Sequence, residues 1–128
     1  MTEYVKKGDR VWTPEIVAQD MVNWFKPSGI VLEPCDGIGN ISKFIPNCVT
    51  CEIDRGLDFL EFNSQVDWII TNPPYSVFSK IIKHGLSISK NSVWLLPTWK
   101  MFSGYGLLQK ITEHGGIKHM RHYGTGTK

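Results

Sequence analysis

The residues best suited to chemistry in this sequence are four in a row: Asn72, Pro73, Pro74 and Tyr75. The apolar residues 68–71 precede them and predict a buried strand. Two consecutive prolines cannot continue a strand ladder, so they predict a rigid turn where that strand ends. An amide oxygen can accept a hydrogen bond from an amine, and an aromatic ring can stack on a flat group. The segment therefore predicts a site for a planar substrate that bears an amine.

A glycine loop is the second candidate. The segment Glu33-Pro34-Cys35-Asp36-Gly37-Ile38-Gly39 follows a predicted strand and leads into a short helix. Gly37 and Gly39 allow the backbone to approach a ligand closely. The full dinucleotide-binding pattern requires a third glycine at the position of Ser42. The loop alone is thus compatible with a cofactor loop or with an ordinary strand-to-helix turn.

An acidic residue, Glu52, lies at the end of the next predicted strand. A carboxylate at that place can accept hydrogen bonds from both hydroxyls of a ribose. A solvated carboxylate at the end of a strand is the alternative.

Strands and helices alternate along the chain. The first predicted helix has Thr13 as its N-cap and Pro14 as its first helical residue. A short second helix is predicted to begin at about 41 and to end before Pro46. Two more helices are predicted over 77–86 and 107–111, and Gly115 and Gly116 end the last one. The predicted strands are 30–33, 49–53, 58–62, 68–71, 92–96 and 117–123. This alternation predicts an α/β fold with a mainly parallel sheet covered by helices.

The composition fits one globular domain spanning residues 1–128, with 41% hydrophobic and 20% charged residues. The net charge of +2 does not by itself indicate nucleic acid. No apolar run is long enough to span a membrane, and the first residues are polar, so we expect a cytoplasmic protein.

The three cysteines are expected to be reduced thiols. Cys48 and Cys51 have the spacing of a zinc or redox pair, but they fall on a predicted strand, and His119 and His122 are remote in sequence. We therefore predict buried strand cysteines and no metal.

Together the segments resemble the S-adenosylmethionine-dependent amino-methyltransferases, in particular the N6-adenine DNA methyltransferases. The resemblance covers nearly the whole chain and is carried by five segments in the family's order: 13–17 with Met21 and Val22, 33–39, 51–54, 58–60 and 72–75. It implies a Rossmann-like class I methyltransferase sheet with helices on both faces, and S-adenosyl-L-methionine as cofactor.

The resemblance also implies roles for individual residues. Thr13 and Pro14 would meet the methionine end of the cofactor, Glu52 the ribose, Ile53 the adenine ring and Asp58 the adenine amine. The full implied cofactor-binding set is Thr13, Pro14, Glu33, Pro34, Cys35, Asp36, Gly37, Gly39, Glu52, Ile53, Asp58, Phe59 and Asn72.

For catalysis the resemblance implies the tetrapeptide Asn72, Pro73, Pro74 and Tyr75. The Asn72 side-chain oxygen and the Pro73 carbonyl would accept from the adenine N6 amine, and Tyr75 would stack on the extruded base. Trp99, Phe102 and Tyr105 are alternatives for a second ring, and Trp99 is included in the predicted nucleic-acid site. Lys110, Lys118 and Arg121 are predicted phosphate contacts, with a solvated basic face as the alternative.

The chain departs from the family in three ways. Glu52 and Asp58 are too close for the usual intervening helix, the last strand is expected to be missing, and no segment is large enough for a target-recognition domain. We therefore expect a trimmed fold, with a homodimer or a separate specificity subunit to supply the missing surface. DNA is favoured as the substrate, with RNA as an alternative. A protein glutamine N5-methyltransferase and a non-catalytic cofactor-binding subunit remain as alternatives.

Overall fold

The computed structural model describes residues 12–97, 99 and 104–123. Within them the helices are α1 (Glu15–Phe25), α2 (Phe78–Ile88) and α3 (Tyr105–His114), and the strands are β1 (Val31–Glu33), β2 (Val49–Thr50), β3 (Val66–Thr71) and β4 (Ser89–Trp94). Short 3-10 helices occupy Ser42–Phe44, Ile53–Arg55, Phe59–Glu61 and Tyr75–Val77.

The strands form a parallel sheet in the order β2-β1-β3-β4. Leu32 in β1 is in register with Val49 of β2 on one side and with Ile69 of β3 on the other. The chain moves outward from β1 to β2 in one direction and from β3 to β4 in the opposite direction. The order thus reverses between β1 and β3, and open α/β sheets bind ligands at the carboxyl ends of the strands at such a point.

Helices cover both faces of the sheet, as predicted. Successive strand residues point to opposite faces. Val31 and Ile70 pack into the core that α1 completes, whereas Leu32 and Ile69 pack with Ile81 of α2. Helix α3 packs against α2. No helix among the described residues is long and apolar enough to cross a lipid bilayer.

Helix α1 begins one residue later than predicted. Pro14, not Thr13, is the N-cap, because its ψ of 142° is extended, and the first helical residue is Glu15. The Thr13 hydroxyl does not cap the helix but accepts a hydrogen bond from Asn72. The predicted capping role of Thr13 was therefore wrong.

The predicted strand at 58–62 was also wrong, since Phe59–Glu61 is a 3-10 helix. The Asp58 carboxylate accepts from the Leu60 backbone N–H at 2.9 Å, and such local bonds favour a turn over a strand. The strand predicted at 49–53 ends at Thr50 for a similar reason, because Glu52 caps the following 3-10 helix through Asp54.

Residues 117–123 form no strand either. This segment instead lies along α1, where the side chains of Arg121 and Tyr123 both donate hydrogen bonds to Asp20. Strand β4 begins at Ser89 and ends at Trp94, earlier than the predicted 92–96. The sheet in the described part of the chain thus has four strands, whereas the sequence predicted six.

Candidate active site

A cleft opens at the carboxyl edge of the sheet, where the strand order reverses. The residues that line it come from the ends of β1 and β3 and from the segments after β1 and β2. It brings together these predicted site residues: Thr13, Glu33, Pro34, Cys35, Asp36, Gly37, Glu52, Ile53, Phe59, Asn72 and Pro74.

The glycine loop needs its glycines for conformational and steric reasons. Gly37 and Gly39 have φ values of 60° and 83°, a region that side chains disfavour. A Cβ atom at Gly37 would lie 2.4 Å from Cζ3 of Trp12, so the half-exposed Trp12 ring packs directly on the loop. The loop backbone therefore forms part of the cleft wall.

Glu52 is fixed at the opposite side of that loop. Its Oε1 accepts from the Gly37 N–H at 2.7 Å, and its Oε2 accepts from the Asp54 N–H at 2.8 Å. Only 8% of the residue is exposed. Carboxylate oxygens can accept more than one hydrogen bond, so both oxygens retain the capacity to accept from a ligand in the cleft.

Glu33 joins the two strands at which the order reverses. Its Oε1 accepts from the Cys35 N–H at 2.7 Å and from the Thr71 hydroxyl at the end of β3. Burial raises the pKa of Glu33 to about 8, and the nearby carboxylates of Asp36 and Glu52 act in the same direction, against the hydrogen bonds from Thr71 and Cys35. The Glu33 side chain is therefore largely protonated at neutral pH.

Asp36 forms an ion pair across the glycine loop. Its Oδ2 lies 3.0 Å from Nη2 of Arg55, while Nη1 of Arg55 donates to the Gly37 carbonyl at 3.2 Å. The other oxygen, Oδ1, is enclosed and accepts no hydrogen bond from the described residues. Arg55 thus fixes the Asp36 carboxylate in one orientation.

Asn72 follows β3 directly and borders the cleft. Its Nδ2 donates to the Thr13 hydroxyl at 3.2 Å, and the Thr13 carbonyl accepts from Asn40 at 2.8 Å. Because the amide nitrogen is held, the position of the amide oxygen on the same carbon is set too. The structure therefore connects two segments that the sequence separates by 59 positions.

The two prolines form a turn directly after β3, as predicted. Pro73 is fully buried, and Pro74 has a ψ of 130° and caps the 3-10 helix Tyr75–Val77. Tyr75 is half-buried, and burial raises the pKa of its phenol, which stays neutral near pH 7. Tyr75 does not belong to the residues that line the cleft.

Several predicted site residues lie outside the cleft lining. Asp58 caps a 3-10 helix, whereas Phe59 lines the cleft and is buried with its ring edge-on to His84 at 4.9 Å. Trp99 and Tyr105 are 67% and 83% exposed. Phe102 lies outside the described residues. The others outside the lining are Pro14, Gly39, Pro73 and Tyr75.

The three predicted phosphate contacts do not form one surface. Lys110 lies on α3 with its Nζ 3.6 Å from Glu113. Arg121 makes a bidentate contact with Asp20 of α1, in which its Nε and Nη2 donate to the two carboxylate oxygens at 2.6 and 2.9 Å. Its guanidinium carbon lies 4.3 Å from the centre of the Trp24 ring. Because α1 covers one face of the sheet and α3 packs on α2 at the other, the structure separates Arg121 from Lys110. Lys118 is exposed between them in sequence.

The cysteine environment does not suggest metal binding. Burial raises the pKa of Cys48 to about 12 and that of Cys51 to about 11, and it raises the pKa of Cys35 well above its ordinary value. These thiols stay protonated near neutral pH. Within residues 12–97, 99 and 104–123 no three His, Cys, Asp or Glu side chains are placed to hold a metal ion.

The sequence reasoning missed seven residues of the site. Five line the cleft, namely Trp12, Asn40, Ile41, Leu57 and Ile81, and two contact residues that line it, Arg55 and Thr71. Two of them carried a signal, since Trp12 directly precedes Thr13 and Thr71 is a polar residue at the end of an apolar strand. Arg55 could not be assigned, because its contact with Asp36 depends on how two loops meet.

Comparison with known proteins supports the fold. No protein-family model and no curated protein matches this chain. A solved structure described as a "putative RNA methyltransferase PH1948 from Pyrococcus horikoshii" superposes with a TM-score of 0.62 at 17% sequence identity, over 93% of this chain and 77% of that one. The chain therefore has a Rossmann-like methyltransferase fold.

Proposed function

We propose that this protein transfers a methyl group from S-adenosyl-L-methionine to the exocyclic N6 amine of adenine in a nucleic acid, with DNA as the first choice. The observation that carries the proposal is the position of Asn72. Its amide lies in the cleft at the reversal of strand order, held by Thr13 at 3.2 Å and followed by the rigid proline turn. An amide in such a turn can accept from a planar amine.

The cleft residues fit the cofactor in chemical terms. The Glu52 carboxylate offers acceptors for two ribose hydroxyls, and the Gly37 backbone permits close approach. Ile53 and Leu57 line the same cleft and offer apolar side chains to a purine ring. The buried side chain of Phe59 also lines the cleft.

The mechanism follows from the turn. When bound, the cofactor supplies a methyl group that is already electrophilic because it is attached to a sulfonium. An adenine amine is a poor nucleophile, since its lone pair is delocalised into the ring. Acceptance of its two N–H groups by the Asn72 side-chain oxygen and the Pro73 carbonyl favours a tetrahedral nitrogen and localises the lone pair. Stacking by Tyr75 holds the extruded base in place.

Alignment supplies the rest of the rate enhancement. The residues that would bind cofactor and base are held near neighbouring strand ends, so the protein would bring the two reactants together in a fixed relative orientation. No proton has to leave before transfer, because the neutral amine is the nucleophile. The extra proton on the product nitrogen passes afterwards to solvent water.

The substrate class rests on the resemblance of the tetrapeptide, so the test includes its alternatives. The structural neighbour is described as an RNA methyltransferase, and adenine in RNA presents the same amine. The same tetrapeptide also suits a glutamine amide of a protein. We propose nucleic-acid contacts through Tyr75, Trp99, Lys110 and Lys118, whereas Arg121 is held by Asp20.

The experiment is transfer of labelled methyl to DNA, RNA and protein in parallel, followed by identification of the methylated product. We expect N6-methyladenine from the wild type and from Asn63→Ala, a matched control because Asn63 is exposed outside the cleft. Asn72→Ala should lose transfer and largely retain cofactor affinity, since the amide acts on the target amine.

Other outcomes would change the assignment. Label on protein glutamine with none on adenine would replace the proposal with a glutamine methyltransferase. Cofactor binding without transfer to any substrate would indicate a non-catalytic subunit. Full activity of Asn72→Ala would contradict the mechanism.

A further inference from the structure

The cationic side chains of the described residues fall into two groups. Those that form ion pairs with carboxylates are Lys43, Arg55, Lys90, Lys110 and Arg121. Those that form none within residues 12–97, 99 and 104–123 are Lys26, Lys80, Lys83 and Lys118. Two members of the second group, Lys80 and Lys83, lie on the same helix, α2.

The solvent-facing side of α2 is positively charged. Its exposed residues are Lys80, Lys83 and Ser87, and the helix contains no acidic residue. Side chains three positions apart leave a helix on the same face, with their Cβ atoms about 5–6 Å from each other. Two ammonium groups at this spacing repel each other, and a polyanion bound across both would offset the repulsion.

This face of α2 lies next to the candidate active site. The 3-10 helix Tyr75–Val77, which begins at the last residue of the tetrapeptide, leads directly into α2. Ile81 is buried and lines the cleft, whereas its neighbour Lys80 is exposed. A polymer with one unit in the cleft can therefore continue over Lys80 and Lys83.

Helix α3 places an aromatic ring beside the same face. A Cβ atom at Gly106 would lie 3.6 Å from Nζ of Lys83, so the Lys83 ammonium is next to the first turn of α3. The preceding residue, Tyr105, is 83% exposed. Proteins bind single-stranded nucleic acid with this combination, because cations attract the phosphates and exposed rings stack on bases.

We propose that the phosphate backbone of the nucleic-acid substrate passes over α2, where Lys80 and Lys83 bind phosphates and Tyr105 stacks on an adjacent base. We call these three residues the α2 surface. The proposal rests on the proposed function, because the bound strand is the one whose adenine enters the cleft. It adds phosphate contacts on a helix to which the sequence pattern assigned only a packing role.

The test measures binding of a labelled, adenine-containing single-stranded DNA oligonucleotide by fluorescence anisotropy across a salt series, with RNA of the same sequence as a second arm. In Lys80→Gln/Lys83→Gln, the slope of the logarithm of the association constant against the logarithm of the salt concentration should fall in magnitude by about 1.4. Each phosphate contact with a single strand contributes about 0.7 to this slope. Tyr105→Ala should weaken binding about fivefold or more and leave the slope unchanged, because stacking releases no counterions.

A matched control removes the same charge elsewhere. Lys26 directly follows α1 and Lys90 is the second residue of β4, so both lie at the edge of the sheet where the strands begin, opposite the cleft. Lys26→Gln/Lys90→Gln should keep the wild-type slope. All variants should bind S-adenosylhomocysteine as the wild type does in calorimetry, because none of the substituted residues lines the cleft.

The outcomes separate this inference from the proposed function. Methylation of adenine together with a wild-type slope in Lys80→Gln/Lys83→Gln, or with an equal fall in the control, would overturn the α2 surface alone. A lower slope with RNA only would support the α2 surface and make RNA the substrate. A lower slope without methylation of adenine would support nucleic-acid binding at α2 and overturn the proposed function. Absence of binding of either oligonucleotide to the wild type would overturn both.

Discussion

Glu33 is a buried carboxyl group at the point where the strand order reverses. It connects β1 with β3 through the Thr71 hydroxyl and supports the glycine loop through the Cys35 N–H. Burial is the largest influence on the pKa of this carboxyl group and raises it, so the side chain stays protonated to higher pH than a solvated glutamate. The group therefore affects stability as well as the shape of the cleft.

This makes the stability of the protein depend on pH. The unfolded chain ionises Glu33 near pH 4.5, whereas the folded protein keeps the proton up to about pH 8. The folded state thus binds more protons between these values, and the free energy of unfolding falls as pH rises through this window. Glu33→Gln mimics the protonated form, so its stability relative to the wild type should rise by a few kcal/mol from pH 4.5 to 8.

Urea unfolding at several pH values measures this difference. Glu61→Gln, at an exposed position, is the control and should follow the wild type. A constant difference between Glu33→Gln and the wild type across the window would mean that Glu33 is ionised in the folded protein.

The residues of the site that could be predicted are those that follow a strand directly. Glu52 and Asn72 were found because apolar runs mark where their strands end. The Asp36–Arg55 pair could not be found, since neither residue belongs to a strand and 19 positions separate them in sequence. Trp12 was not predicted as a site residue, but it is half-exposed at the cleft.

At the scale of elements, helix α2 and strand β4 depend on a glycine. A Cβ atom at Gly85 would lie 2.6 Å from Cη2 of Trp94, and the Trp94 indole is held by a hydrogen bond to Ser92. Gly85→Ala should therefore destabilise the protein by about 1–3 kcal/mol, although alanine is the better helix former.

Gly106 in α3 provides the matched control. The nearest atom to a Cβ there is Nζ of Lys83 at 3.6 Å, an ordinary contact at the end of a flexible side chain. Gly106→Ala should stabilise by about 0.5–1 kcal/mol. Chemical denaturation of the two variants measures the change in the free energy of unfolding that each substitution causes. Equal changes in the two variants would contradict the packing of α2 on Trp94.

The sequence predicted the helices better than the strands. The period of apolar residues located α2 and α3 well, and Gly115 ends α3 as expected. The segment at 58–62 failed because Asp58 forms a local hydrogen bond that competes with strand pairing. The segment at 117–123 failed because its partner, Asp20, lies on a helix about a hundred positions away.

At the scale of the whole molecule, the basic residues near the carboxyl-terminal part belong to different faces. Arg121 is paired with Asp20 and stacked on Trp24, whereas Lys118 is exposed. Lys118→Gln should weaken the salt dependence of DNA binding. The slope of the logarithm of the association constant against the logarithm of the salt concentration should fall in magnitude by about one, as for one lost phosphate contact. Arg121→Gln should lower the thermal midpoint by freeing the segment from α1.

Binding across a salt series, with thermal unfolding of the same variants, distinguishes these roles. Lys90→Gln serves as a control, because Lys90 is an exposed lysine paired with Asp67 at the opposite edge of the sheet from the cleft. A lower salt slope for Arg121→Gln with an unchanged midpoint would assign Arg121 to phosphate binding instead.

The hydrogen bonds to Asp20 have a consequence for the order of folding. Tyr123 and Asp20 are 103 positions apart, whereas β3, α2 and β4 follow one another directly. Closing the longer loop costs more chain entropy, and this entropy is lost before the stabilising contacts form. We therefore expect the β3-α2-β4 unit to form in the rate-limiting step and the segment at 117–123 to dock afterwards. Tyr123→Phe should then speed unfolding and leave the folding rate unchanged, while Ile81→Val should slow folding.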